Sequence, residues 1–306
     1  MSQPHSISRR DFLVASAALL AGGCATPSDQ ATPDTEAIID IHQHTNYHGR
    51  TDAELVAHQR KMGVSKTVLL PAGRFYGLDA NCGGNRTVVD LARAYPREFV
   101  FFANEVADLP EARAEIEKYL KEGGIGIGEQ KFKVECDSTH LEALAELAQH
   151  HRVPVLLHFQ HGAYNTSFAR FHRILERFPT VNFIGHAQTW WGNIDQHHDQ
   201  PVMYPKGKVT PGGLTDRLLR DYPNMYGDLS AGSGLNALLR DEDHTRAFLE
   251  RHQNKLLYGS DCADRVGEGP QCQGAQTLAA IRRLAASKAI ERKILYGNAA
   301  RLLKLK

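Results

Sequence analysis

Short apolar runs recur along the chain from residue 37 onward, and amphipathic segments separate them. The runs are continuously apolar rather than alternating, which is typical of strands that are buried on both faces of a parallel sheet. We count eight candidate strands, at 38–41, 67–70, 99–103, 125–129, 153–157, 181–184, 225–229 and 255–258.

The segments between the candidate strands place apolar residues at helical spacing. The clearest are 52–62, 86–95, 110–121, 141–151, 168–178 and 243–252. Strands that alternate with helices predict an α/β fold, and eight such units in about 270 residues match a single (β/α)8 TIM barrel. The alternative is an open doubly wound sheet, which usually has a glycine-rich turn after its first strand. Here that position holds His42, Gln43 and His44.

The composition excludes several other classes of protein. Of the 306 residues, 42% are hydrophobic and 23% are charged, which excludes a disordered or collagen-like chain. Lys and Arg number 36 against 35 Asp and Glu, so no strong positive field would attract nucleic acid. The unusual count is the 16 histidines, because imidazole is the commonest metal ligand.

The N-terminal segment predicts an export signal rather than part of the fold. Arg9 and Arg10 precede Phe12 and a short apolar stretch, 12–21, that is too short to span a bilayer. This pattern is typical of a twin-arginine signal peptide, which is handled by the twin-arginine export machinery. The following residues, up to Cys24, resemble a lipobox, although Ala21 stands where leucine is usual. Lipidation at Cys24 and cleavage just after it stay open as alternatives.

These signals divide the chain into three parts. We predict a signal peptide over 1–24, a flexible tether rich in Pro, Thr, Ser and acids over 25–36, and one barrel domain over 37–306. The predicted location is the periplasm, with membrane attachment only through a lipid at Cys24. Since the twin-arginine route carries folded proteins, a metal could be loaded before export. In an oxidising compartment, a disulfide between Cys262 and Cys272 is one alternative.

The predicted strand ends carry most of the candidate chemistry. Since the carboxyl ends of barrel strands converge on one mouth, we expect their side chains to meet there. Strand side chains alternate, so His42 and His44 share a phase and aim at one point. The other residues at strand ends are Glu129, His158, His186 and Asp261. Any one of them alone could be structural, but together they predict a divalent metal site, most simply for one or two Zn²⁺ ions.

These motifs in this order resemble the amidohydrolase superfamily, in particular its amidohydrolase-related (type 2) branch. The His42-Gln43-His44 motif matches the family's opening HxH. His158 and His186 match the histidines of strands five and six, and Asp261 matches the aspartate of strand eight. The segment 294–302 is similar to the closing helix signature, so the resemblance covers 38–303.

The resemblance implies a set of metal ligands, and relatives differ in the residue that they use at strand four. Some relatives bridge two metals with a carboxylated lysine or a glutamate, and others hold a single metal. Glu129 is favoured over Lys131 as the ligand because a carboxylate needs no added CO₂. Lys131 would then meet a substrate carboxylate. The number of metal ions stays open.

The resemblance also implies the chemistry. A metal-activated water would cleave an ester, lactone or amide of a small molecule, with Asp261 moving the proton and His186 stabilising the oxyanion. Non-oxidative decarboxylation within the same superfamily is the alternative, with His186 as proton carrier. The third hypothesis is a tethered lipoprotein that binds a metal or solute without turnover.

Candidate substrate contacts come from the loops. Trp190 and Trp191 open a long segment before Pro211 that predicts a lid, and adjacent indoles suit stacking on a ring. Arg74 could hold an anionic group of the substrate. The identity of the substrate is not readable from the sequence, nor is the oligomeric state.

Overall fold

Eight strands alternate with helices in the computed structural model, which describes residues 36–73 and 81–305. Each strand overlaps one of the predicted apolar runs, so the predicted α/β class is confirmed. In chain order they are β1 (Ile39–Gln43), β2 (Lys66–Leu69), β3 (Phe99–Phe101), β4 (Ile127–Gln130), β5 (Val155–His158), β6 (Phe183–His186), β7 (Met225–Asp228) and β8 (Leu256–Leu257).

Helices follow most strands. They are α1 (Asp52–Lys61), α2 (Asn85–Ala94), α3 (Ala112–Lys121), α4 (Thr139–His151), α5 (His172–Arg177), α6 (Gln188–Gly192), α7 (Leu214–Asp221), α8 (Ala231–Leu239), α9 (Glu242–Arg251), α10 (Gln273–Leu284), α11 (Lys288–Arg292) and α12 (Asn298–Leu303). Short 3-10 helices lie at Tyr47–Gly49 and Phe168–Arg170, and a π-helical turn at Lys293–Gly297 precedes α12.

Local signals explain several helix starts. Thr51 caps α1 in a reciprocal capping box with Glu54, and Ser138 accepts a hydrogen bond from Leu141 N at the start of α4. Asp241 caps α9 in the same way. These caps satisfy backbone N–H groups that have no partner within the helix.

One prediction about the helices needs correction. The expected helix over 168–178 is interrupted: a 3-10 turn ends before α5 begins at His172. In this segment Phe168 and Phe171 both pack on Phe159, with ring centroids 4.8 Å and 5.0 Å away. The segment that begins at residue 188, predicted as a lid, opens with α6.

The strands are parallel and follow chain order in two hydrogen-bonded groups, β1–β2–β3 and β4 through β8. Ala103, just after β3, pairs with Ile127 of β4 in a single parallel bridge. On the other side, Ile41 N donates to Tyr258 O over 3.1 Å. Backbone hydrogen bonds therefore connect the two groups at both of their edges.

Two apolar layers lie on opposite faces of the strands. The larger one packs between strands and helices, as expected for a sheet covered by crossover helices. The smaller one lies on the other face and includes three residues of α12. Its fully or nearly buried members are Ile39, Ile41, Val68, Leu70, Phe102, Leu156, Ile184, Leu257, Ala299, Leu302 and Leu303. Burial on both faces explains why the strands are continuously apolar.

Some predictions fall on residues that the structure does not describe. These are the twin-arginine signal with Cys24, nearly all of the tether, and Arg74. Among the described residues, no helix combines the length and the apolar character that crossing a membrane requires.

Candidate metal centre at the strand ends

The end of β1 brings two imidazoles together at nearly right angles, with an interplanar angle of 73°. The Nε2 atoms of His42 and His44 lie 3.2 Å apart, and both side chains are buried. The register of β1 against β2 shifts between Asp40 and Gln43, and such irregularities re-aim side chains next to functional sites. The sequence prediction that both rings aim at one point therefore agrees with the geometry.

Hydrogen bonds at the outer ring nitrogens set the tautomers. His42 Nδ1 donates to Asp228 Oδ2 over 2.7 Å, and His44 Nδ1 donates to Leu70 O over 2.7 Å. His186 Nδ1 lies 3.0 Å from Ser230 Oγ, whose hydroxyl donates to the same Asp228 oxygen over 2.8 Å. Each ring therefore directs its Nε2 toward the centre, as second-sphere partners of metal-bound histidines do.

Glu129, at the end of β4, connects two groups of histidines. Its Oε2 lies 3.4 Å from His42 Nε2 and 3.5 Å from His44 Nε2. Its Oε1 lies 2.6 Å from His158 Nδ1 and 3.8 Å from His186 Nε2. One carboxylate thus faces the HxH pair with one oxygen and the β5 and β6 histidines with the other.

Asp261 closes the remaining side of the centre. Its Oδ1 lies 3.4 Å from His44 Nε2, and its Oδ2 lies 3.6 Å from His186 Nε2. The backbone N–H of Asp261 donates to His42 O over 2.8 Å and holds the residue at φ 41°, a left-handed conformation that is uncommon outside glycine. Within the described part of the chain, the buried Oδ1 has no hydrogen-bond partner.

The buried carboxylates give this centre a negative charge that favours a cation nearby. Burial alone would lower the pKa of His42, but three neighbouring carboxylates raise it well above its ordinary value. Burial also opposes the charge of Glu129, yet the charge of His42 and the hydrogen bond from His158 lower the pKa of Glu129 well below its ordinary value. Burial lowers the pKa of His158 to about 4, so its ring is neutral at pH 7.

The donor set fits a divalent ion. Tetrahedral zinc with Zn–N near 2.0 Å separates two ligand nitrogens by about 3.3 Å, close to the spacing of the HxH pair. Two sets of neighbouring atoms are compact enough to share an ion, His42 with His44 and Asp261, and His42 with Glu129 and His186. His158 reaches them through Glu129.

Lys131 lies at the edge of this centre rather than in it. Its Nζ lies 5.5 Å from the centre of the Tyr164 ring, and that ring packs edge-on against His158 at 5.4 Å. Asp40, although it precedes the HxH motif, faces a polar cluster of Ser260 and Gln59 and holds the β8 loop. Glu129 is therefore the strand-four group that contacts the histidines.

The two tryptophans predicted to contact substrate are buried. Trp190 is 0% exposed and packs against Phe159 and Phe168, and Trp191 is 3% exposed. The indole N–H of Trp191 donates to Asp228 O over 2.8 Å, so this ring holds the backbone at the end of β7. Their geometry gives both rings a packing role and offers no support for stacking on a substrate.

Several residues of the site were not predicted from the sequence. Asp228 and Ser230, at the end of β7, orient two histidines. They were not predicted because this strand end carries no histidine, and an aspartate or a serine alone does not indicate a metal site. Tyr47 packs on His44 with ring centroids 5.0 Å apart, and the charge of Asp261, together with burial, raises the pKa of its phenol. Cys82 also neighbours His44.

A cavity of about 450 Å³ lies beside the centre. The loop after β5 lines one wall with Gln160, His161 and Asn165, and α6 contributes Thr189. Gln160 connects the cavity with the centre, because its Oε1 lies 3.2 Å from His158 Nε2. Space for a small molecule is therefore available next to the strand ends.

Comparisons with solved structures agree with the fold. An uncharacterised TIM-barrel protein of Bordetella bronchiseptica is 17% identical, with 88% of this chain and 99% of that one covered and a TM-score of 0.64. A protein described as a probable 2-pyrone-4,6-dicarboxylic acid hydrolase, from Acinetobacter baumannii, is 15% identical, with coverages of 87% and 99% and a TM-score of 0.60. A 5-carboxyvanillate decarboxylase of Sphingomonas paucimobilis is 17% identical, with both coverages 84% and a TM-score of 0.56. No curated protein matches the sequence significantly.

The family model described as amidohydrolase matches residues 39–305, which include all eight strands and all of the candidate metal ligands. The chain therefore belongs to the amidohydrolase-related family of TIM-barrel proteins.

Proposed function

We propose that the protein is a metal-dependent hydrolase that cleaves an ester, lactone or amide bond in a small molecule. The observation that supports it best is the facing pair of His42 and His44 nitrogens, 3.2 Å apart, with the Asp261 carboxylate beside them. A divalent ion bound by these residues, Zn²⁺ by preference, lowers the pKa of a water toward ~7 and polarises a carbonyl group.

Asp261 takes the role of proton carrier. Burial alone would raise its pKa, but the charge of His42 and the nearby imidazoles of His186 and His44 lower it well below its ordinary value, so the carboxylate is ionised at pH 7. An unpartnered, ionised oxygen in this position accepts a proton from the attacking water and returns it to the leaving group.

His186 takes the role of oxyanion stabiliser. Its Nδ1 is held by Ser230, so its Nε2 faces the same centre as Asp261. Burial and the charge of His42 oppose protonation of His186, but the nearby carboxylates of Asp228 and Asp261 raise its pKa above the ordinary value. A protonated Nε2 there stabilises negative charge that develops on a substrate oxygen.

Lys131 takes the role of recognising an acidic substrate. It lies beside Tyr164 and His158 at the edge of the centre, where a cation can meet a carboxylate without competing for the metal. The Acinetobacter baumannii neighbour is described with citric acid bound, and a carboxylated substrate would also suit Lys131 in this chain.

Decarboxylation is the second candidate. Solved neighbours include decarboxylases of 5-carboxyvanillate and of 2,6-dihydroxybenzoate. In that reaction Lys131 would orient the departing carboxylate and His186 would supply the proton that replaces it.

Isotope labelling separates the two reactions. Zn²⁺-loaded protein is incubated in ¹⁸O-labelled water with a panel of lactones, esters, amides and aromatic carboxylic acids. We expect one ¹⁸O atom in the product and no CO₂. Release of CO₂ without incorporation of ¹⁸O would instead support decarboxylation and overturn the hydrolase assignment.

The Asp261→Asn variant tests the proposed proton carrier. We expect kcat to fall by about 10²–10⁴-fold, the usual contribution of a general acid–base group. Asp243→Asn is a matched control, because that aspartate is 89% exposed on α9. Full turnover by an Asp261→Asn protein that retains its metal would eliminate the proposed role.

A further inference from the structure

A second cluster of metal-binding side chains lies behind the end of β8, and the proposed reaction makes no use of it. It consists of Cys262 and Asp264 in the loop after β8, Cys272 at the start of α10, and His58 on α1. Cys272 and His58 are 0% exposed and Cys262 is 3% exposed. We call these four residues the thiol cluster.

The distances among His58, Cys262 and Cys272 match those around a tetrahedral ion, and Asp264 lies beside them. The two sulfurs lie 3.8 Å apart, and Cys272 Sγ lies 3.4 Å from His58 Nε2. His58 Nε2 lies 3.7 Å from Asp264 Oδ2. Tetrahedral zinc with Zn–S about 2.3 Å and Zn–N about 2.0 Å places two sulfurs about 3.8 Å apart and a sulfur and a nitrogen about 3.5 Å apart.

The tautomer of His58 suits a ligand. Gln59 donates its amide N–H groups to Asp40 and Thr67, so its oxygen is free to accept from His58 Nδ1, 3.1 Å away. His58 Nε2 therefore presents its lone pair to the sulfur of Cys272. A hydrogen bond at the outer nitrogen is the usual support for a metal-bound imidazole.

The start of α10 supplies a hydrogen-bond donor to the sulfur of Cys272. Its sulfur accepts the backbone N–H of Ala275 over 3.4 Å at the first turn of α10, a helix of 12 residues. Helix N-termini stabilise thiolates, and the thiolate is the form that binds metals.

A disulfide explains less of this arrangement. A Cys262–Cys272 bond requires sulfurs about 2.05 Å apart. Both sulfurs are free thiols in the structure. A disulfide would also make no use of the His58 nitrogen, which lies 3.4 Å from the sulfur of Cys272.

We propose that Cys262, Cys272, His58 and Asp264 bind a zinc ion in a structural site that is separate from the strand-end centre. The thiolates and imidazole are zinc's preferred donors, and four protein ligands leave no open position for a substrate. The ion ties the loop after β8 to α1, which lies some two hundred residues earlier in the sequence.

The backbone connects the thiol cluster with the strand-end centre. Asp261 directly precedes Cys262, and Cys262 O accepts hydrogen bonds from Arg50 Nη1 over 2.8 Å and Gln43 Nε2 over 2.9 Å. An ion on the Cys262 sulfur therefore fixes the backbone that positions Asp261.

Cobalt substitution tests the thiol cluster directly. The mature protein, reduced and loaded with Co²⁺, should show a thiolate-to-cobalt charge-transfer band in the near ultraviolet. The band should disappear in Cys272→Ser and persist in Cys82→Ser, a matched control whose cysteine neighbours His44. It should also persist in His44→Ala, because the signal does not depend on the strand-end centre or on the proposed reaction.

The wild-type spectrum decides the proposal even if Cys272→Ser does not fold. A reduced wild type that binds Co²⁺ without this band would overturn it. A band that survives in Cys272→Ser and is lost in Cys82→Ser would overturn it as well, because the thiolate ligand would then belong to the other centre.

Discussion

At the scale of single residues, the buried Asp228 side chain orients several groups of the candidate centre at the strand ends. Its Oδ2 accepts from His42 Nδ1 and from Ser230 Oγ, and Ser230 in turn holds His186. Burial alone would raise the pKa of Asp228, but the charge of His42 and the hydrogen bonds with His186 and His42 lower it to about 2. A single carboxylate thus selects the tautomers of two histidines.

Asp228→Asn tests this orienting role. The variant keeps a hydrogen-bond acceptor but removes the charge that makes His42 a stronger ligand. We expect metal affinity at the strand-end centre to fall by about 10–100-fold, measured by competition with a chelator. Asp90→Asn is the control, since Asp90 is 62% exposed on α2. Equal affinities in Asp228→Asn and wild type would contradict the role.

Residue chemistry could be predicted from the sequence where the residue type itself is diagnostic. His42 and His44 were identified because imidazoles two positions apart on a strand share a face. Asp228 was not, because an aspartate at a strand end has many structural uses and only three-dimensional contact reveals which. Trp190 and Trp191 were predicted to contact substrate but are buried. The sequence does not show this, because their burial depends on which way α6 packs.

At the scale of elements, α7 and α9 are linked by a buried ionic contact. Asp216 Oδ1 lies 2.5 Å from His252 Nε2, just beyond α9, and 3.0 Å from Arg251 Nε. Burial would raise the pKa of Asp216, but the hydrogen bond with His252 and the charge of Arg251 lower it to about 2. The folded state therefore favours the ionised carboxylate.

Asp216 should make stability depend on pH. Because its pKa is lower in the folded state than the unfolded value of ~3.9, its contribution is present above pH 4 and is lost as the pH falls toward 2. We expect about 1–2 kcal/mol, reduced from the full shift because Arg251 is 36% exposed. Denaturant unfolding of Asp216→Asn should show that loss at pH 7 and a smaller decline between pH 5 and pH 2 than wild type.

The control for this contact lies on the same helix. Asp221 is 48% exposed and pairs with its neighbour Arg220, so Asp221→Asn should change the free energy of unfolding little at either pH. If Asp216→Asn and Asp221→Asn were equally stable at pH 7, the proposed contribution of the α7–α9 contact would be wrong.

Element types were predictable where apolar periodicity was strong. All eight strands were found because burial on both faces makes them continuously apolar. α8 has no such signal, since its two glycines and polar residues weaken helical periodicity. The register shift in β1 has no signature in residue order, because it depends on pairing with β2.

At the scale of the whole molecule, the fold class followed from the number and order of the strand–helix units, and the family followed from the ordered motifs at the strand ends. The contact between His58 and Cys272 could not be predicted, because it joins segments distant in sequence. The twin-arginine signal, the lipid at Cys24 and a periplasmic location stay predictions from the N-terminal sequence.

The central claim is that a divalent metal ion binds at the strand ends, and zinc content tests it most directly. The measurement uses the Cys262→Ser/Cys272→Ser protein, so that the thiol cluster does not contribute, with and without His44→Ala. We predict at least one zinc per chain before the His44→Ala change, with a second if Glu129 bridges two ions, and a loss of zinc after it. A folded double-cysteine variant that binds no zinc under any loading condition would contradict the account.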